Sequence, residues 1–137
     1  MNIGSILWPL DKREAVNLYL GFLIKIVEYF GFRFSSDGPD PISISKAYIA
    51  GTVSEQDYRK CANVWWAYLD GSGAIRNLTD EDALLARIAI CLLSVTKEDA
   101  EELGEHLSWF FEVLEQVGVD IDKPIDMMVN HFKFNKN

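Results

Sequence analysis

Metal-binding and nucleophilic side chains are scarce in this chain. It has two cysteines, Cys61 and Cys91, and two histidines, His106 and His131. Structural zinc centres are built from Cys and His at close spacing. Neither histidine has a second histidine or a cysteine at such a spacing, so no metal site is expected. The cysteines fall on apolar faces of expected helices and read as reduced, buried thiols rather than a disulfide. No glycine-rich loop leads into Lys-Ser or Lys-Thr, so a phosphate cradle is absent. Gly71-Ser72-Gly73 lacks the strand-to-helix setting and the full pattern of a nucleophile elbow. Nothing here assembles a nucleophile, a base and a charge stabiliser. The expected protein is not an enzyme and holds no cofactor.

Basic charge is also short. Thirteen Lys and Arg face 21 Asp and Glu, a net charge of −8, and the pI is near 4.7. Such a surface repels nucleic acid and anionic membrane and attracts a basic protein partner. Long apolar runs are missing too. The longest, Leu18 to Phe30, is interrupted by Gly21, Lys25 and Glu28 and is too short and polar to cross a bilayer. Met1 to Leu10 has neither a basic start nor an apolar run of leader length. A cytoplasmic location is the expectation.

What the chain does have is helix punctuation. Hydrophobic residues make up 49% and charged residues 25%, which suits one folded domain over residues 1–137. Asp11-Lys-Arg-Glu14 has capping-box form, with Leu10 placed to staple onto Ala15 and Gly31 as the stop. Asp40-Pro41 opens a second element. Ile42 to Ile49 lacks a clean period, so helix and strand both fit. Ser54 opens a helix whose face is Tyr58, Cys61, Ala62, Trp65 and Leu69, closed by Asp70 to Gly73. Thr79 opens a helix that is apolar at nearly every position from Ala83 to Val95. Thr96-Lys-Glu-Asp99 opens another that runs to about Val117. Its inner face is Ala100, Leu103, Leu107, Phe110, Phe111 and Leu114. Asp122 caps a last helix through Phe132, with Ile125, Met128, Val129 and Phe132 inward. Lys133 to Asn137 reads as a frayed tail. Caps and periods agree on an all-α single-domain bundle of five or six helices around the apolar helix at about 80–95.

Three features stand apart. Arg87 is the one charge inside the apolar helix, so it must pair with a carboxylate or reach water. Glu28 and Asp70 are the candidate partners. Asp80, Glu81 and Asp82 fill a helix first turn, where the dipole favours acids, and need no metal. The sharpest feature is the helix after Thr96. There Glu98, Glu102, Glu105 and Glu112 lie opposite the core face, with Trp109 and Val113 among them. Tryptophan anchors interfaces, and surrounding acids steer a basic partner. Glu98, Glu102, Glu105, Trp109 and Glu112 are the candidate partner-binding residues, and the loop Asp70 to Asn77 is the second candidate.

The central segment, DYRKCANVWWAYLDGSGAIRN followed by LARIAICLLS, resembles those of small helical immunity proteins of bacterial toxin–immunity systems, contact-dependent growth inhibition among them. The resemblance is one of size, acidity, helical build and the tone of this segment, without a diagnostic motif. It implies an inhibitor that binds and neutralises a cognate toxin domain, often a basic nuclease. The alternative is a helical regulatory or scaffold module with another protein partner.

Overall fold

The computed structural model describes residues 3–35, 38–71 and 80–134. Among these residues the chain forms six α-helices: α1 (Lys12–Phe30), α2 (Pro41–Ala50), α3 (Glu55–Gly71), α4 (Asp80–Leu93), α5 (Leu103–Val117) and α6 (Asp122–His131). Two-residue strands β1 (Ile6–Leu7) and β2 (Lys133–Phe134) pair antiparallel, with Ile6 opposite Phe134 and Leu7 opposite Lys133. The all-α expectation holds, and no described helix is long and apolar enough to cross a membrane.

Local chemistry sets the helix ends. Asp11 Oδ1 accepts from the Glu14 amide at 2.9 Å, and Gly31 stops α1 at φ 66°. That is the left-handed conformation only glycine adopts cheaply. Asp40 caps α2 through the Ile42 amide, and Pro41 takes the first helical position. Those caps decide the Ile42–Ile49 alternative in favour of helix. Ser54 Oγ accepts from the Asp57 amide at 3.1 Å and starts α3. Thr79 lies outside the described residues.

The core is built around α4. Ala86 and every residue from Ile88 to Leu93 are buried, and α1, α2, α3 and α5 pack against this helix. Tyr58, Ala62, Trp65 and Leu69 of α3 are buried as their spacing requires, while Cys61 is half-buried. Trp65 packs so closely on the loop before α2 that a Cβ on Gly38 would lie 2.8 Å from its ring. The Trp65 indole also donates to the Pro39 carbonyl at 3.0 Å. Burial pushes both thiols up, Cys91 most, and both are free.

Of the two alternatives for Arg87 the structure takes the second: the residue is exposed and reaches water. Glu28 instead pairs with Lys46 at 2.8 Å. Several expectations need correction. The helix expected from Thr96 to Val117 is broken into a 3-10 turn, Lys97–Glu102, followed by α5. The tight turn follows from its cap. The Asp99 amide donates to the Thr96 carbonyl at 2.8 Å, and Asp99 Oδ2 accepts from the Thr96 amide at 2.9 Å. Val113 is buried, not among the exposed acids. Leu10 is fully exposed, so it staples nothing, and Val129 is 56% exposed rather than inward. The tail is not wholly frayed. Lys133 and Phe134 join β2, and Trp8 sits edge-on to Phe132 at 5.0 Å.

His131 locks α6 to α1. Its Nε2 lies 2.8 Å from the Leu18 carbonyl, which can only accept. Its Nδ1 lies 2.9 Å from Lys25 Nζ, an ammonium that can only donate. One neutral tautomer satisfies both contacts. Burial and the Lys25 charge hold the imidazole below its usual range, against the opposing pull of the Leu18 carbonyl. Because the folded state resists protonation, the unfolded chain takes up protons first, and stability falls as pH drops below about 6.5. Urea midpoints at pH 7.5 and 5.5 should show this loss. His131→Gln should flatten that part of the profile. Arg87→Ala, in contrast, should change unfolding free energy by no more than about 0.5 kcal/mol. A buried ion pair there would cost about 3–5 kcal/mol, so urea titration at pH 7.5 separates the two placements.

Candidate functional site

The outer faces of α3 and α5 converge over the end of α4. Two neighbouring concavities lie there, each of about 360 Å³. The first is lined by Arg59, Asn63 and Trp66 of α3, Ser94 after α4, and Glu98 and Asp99 of the 3-10 turn. The second is lined by Trp66, Ile90, Ser94, Glu102, Glu105, His106 and Trp109. Trp66 and Ser94 belong to both, so the two hollows form one groove with Trp66 standing in its wall.

The helical period explains this placement. Trp65 and Trp66 are neighbours and point about 100° apart on a helix. Trp65 is driven into the core and is 1% exposed, which leaves Trp66 on the outer side at 45% exposed. On the opposite wall Glu102, Glu105 and Trp109 recur at steps of three and four and share one face. Trp109 is half-buried and rests against the core. On their other side Glu102 and Glu105 also line a shallow hollow with Glu101, Ile3 and Trp8. The two acids therefore crest a ridge between depressions.

The five residues expected to form a partner face are distributed unevenly. Glu102, Glu105 and Trp109 meet in one hollow. Glu98 lies in the adjoining one, engaged by Arg59 at 3.1 Å. Arg59 also reaches Glu55 at 3.8 Å and Thr96 Oγ1 at 3.0 Å. Its guanidinium is held more firmly protonated, chiefly by the Glu98 hydrogen bond. Glu112 is exposed on α5 but lines neither hollow of the groove. The sequence reading missed Trp66 as a groove residue. The available signal was its adjacency to a tryptophan already assigned to the core. Of the second candidate loop, residues 72–77 lie outside the described residues.

Charge in the groove is acidic where it is not tied. Glu102 and Glu105 are exposed. Asp99 faces His106, with Oδ1 and Nε2 3.8 Å apart, beyond hydrogen-bond range. Asp99, Glu102 and His106 bring one ligand atom each within 4.8 Å of one another. A search pattern of paired His or Cys does not capture this set, because two of its three members are carboxylates.

The two groove tryptophans should respond differently to truncation. Trp66→Ala removes a side chain that meets water over much of its surface and should cost about 1 kcal/mol or less. Trp109→Ala opens a space against the core and should cost about 1–3 kcal/mol, below the value for a fully buried ring. Urea unfolding followed by circular dichroism measures both. A loss at Trp66 equal to that at Trp109 would place it in the core instead.

Comparison with protein-family models, with curated proteins and with solved structures finds no match to this chain.

Proposed function

We propose that this protein is an immunity-type inhibitor, a non-enzyme that binds and neutralises a cognate bacterial toxin domain of basic character, such as a nuclease. The observation that carries the reading is the α3–α5 groove. An indole 45% exposed faces a second, half-buried indole across a hollow walled by two exposed glutamates, Glu102 and Glu105. Large exposed aromatics supply most of the binding energy at protein interfaces. Acids beside them raise the encounter rate with a cationic partner and suppress wrong ones. A net charge of −8 extends that attraction beyond the groove. A nuclease presents a cationic surface to nucleic acid, so an acidic groove of this kind is complementary to the surface it would have to cover. The resemblance of the central segment to helical immunity proteins supports the same reading.

The partner would be captured from the source cell on the tagged full chain, then studied by association kinetics at two salt concentrations. Glu102→Lys with Glu105→Lys should lower the on-rate, and the difference should shrink as salt rises. Trp66→Ala and Trp109→Ala should leave the on-rate near that of the parent and speed dissociation. Each should cost about 2 kcal/mol of binding. The captured domain should be toxic when produced alone and harmless with this protein. A partner whose binding ignores all four substitutions would move the contact away from the groove. A non-toxic partner would replace inhibition with another regulatory role.

A further inference from the structure

We infer that Asp99, Glu102 and His106 form a binding site for a divalent transition cation of the zinc class at the edge of the groove. The inference is independent of the toxin reading. Its first support is the donor set. Two carboxylates and one imidazole are a mixed oxygen and nitrogen set of the kind zinc accepts, whereas magnesium and calcium prefer oxygen alone. Its second support is the spacing. The three residues stand at i, i+3 and i+7, which the 3-10 turn and the first turn of α5 place on one face. All three ligand atoms lie within 4.8 Å of one another.

The decisive distance is the 3.8 Å from His106 Nε2 to Asp99 Oδ1. A charge-assisted hydrogen bond would close to about 2.7–2.9 Å. Two ligands about 2.1 Å from one zinc ion, at a tetrahedral angle, stand about 3.4 Å apart. The observed gap is too long for the first arrangement and within a few tenths of an ångström of the second. Asp99 is also oriented for the task. Its Oδ2 is held by the Thr96 amide at 2.9 Å, which turns Oδ1 toward the imidazole. Metal-ligating carboxylates are held by hydrogen bonds of this sort. The acids alone would be explained by the positive end of the α5 dipole. The dipole does not explain an imidazole turned toward them. Asp99 and His106 are half-buried and Glu102 is exposed. Solvent or a partner side chain can therefore complete the coordination from the groove.

The test uses the full chain stripped with chelator and titrated with zinc chloride by calorimetry. One equivalent should bind. His106→Gln and Glu102→Gln should each weaken binding by about 10-fold or more, with unchanged circular dichroism. Magnesium chloride at the same concentration should not compete. Long-range nitrogen-15 NMR resolves both imidazoles, and zinc should shift the His106 ring and leave His131 in place. Binding that ignores both variants, a shift at His131 instead, or no saturation by millimolar zinc would overturn the site.

Discussion

A helix that ends inside a protein leaves its last carbonyls without partners, and their satisfaction constrains everything around them. At the end of α4 the Tyr58 hydroxyl lies 2.9 Å from the Leu92 carbonyl and 3.1 Å from the Val95 carbonyl. The phenol shares its one proton between them. Burial raises the hydroxyl well above its ordinary range, so it remains a donor at any physiological pH. The same ring stacks on Tyr48 of α2 with centroids 3.9 Å apart. Arg13 of α1 lies over the other face of Tyr48, 4.0 Å from its centroid, and donates to its backbone carbonyl. One stack thus joins α1, α2, α3 and the buried end of α4. Immediately beyond that end come Ser94 in the groove and Thr96 at the start of the 3-10 turn. The position of the acidic wall depends on the position of one phenol.

The groove's electrostatics follow from which acids already have partners. Glu98 spends its charge on Arg59, although both side chains are well exposed and such a pair contributes little to stability. Its effect is instead to hold the 3-10 turn against α3, across the groove. Lys46 occupies Glu28 in the same way on another face. Glu102 and Glu105 keep their charge for whatever approaches, being exposed at the crest of the ridge. A cation at Asp99, Glu102 and His106 would take part of that charge away. Metal occupancy and attraction of a basic partner would then oppose each other across Glu102, while leaving Glu105 and the two indoles unaffected.

The fold was largely legible because its signals are local. Asp11, Asp40, Ser54 and Thr96 all start helical turns, and Gly31, Gly51 and Gly118 all end helices in the left-handed region. What escaped was tertiary. The pairing of Ile6 with Phe134 joins opposite ends of the chain, and neither two-residue segment shows a period. Apolar neighbours leave both a paired and a solvated Arg87 open. One position in a nearly encircled helix nevertheless faces outward, and a long basic side chain can occupy it. The site was half legible. A wheel through residues 98–112 assumes one continuous α-helix. The 3-10 turn changes the step to three residues up to Glu102, which sets Glu98 apart, while Glu112 shares the α5 face of Glu105 and Trp109 but lies further along the helix, past the hollow. Trp66 lies on a different helix, and no wheel of α5 could include it.

The groove and the core answer to different demands, although the same helices supply both. Trp65 is held by contact with Gly38 and by its bond to Pro39, so its replacement would disturb the α2–α3 junction. Trp66, one residue later, has no such ties among the described residues, and nearly half of its surface is free. Likewise Leu103, Leu107, Phe110 and Phe111 face inward on α5 while Glu105 and Glu112 face water. Surface substitutions away from caps and core cost little stability. Residues that would read a partner can therefore change without loosening the stack beneath them. Selection on recognition can act on Glu102, Glu105 and Trp66 almost independently of selection on folding. Trp109 is the exception, since it touches both the groove and the core. A change there would alter fit and stability together, and this coupling restricts its replacement to other large apolar rings.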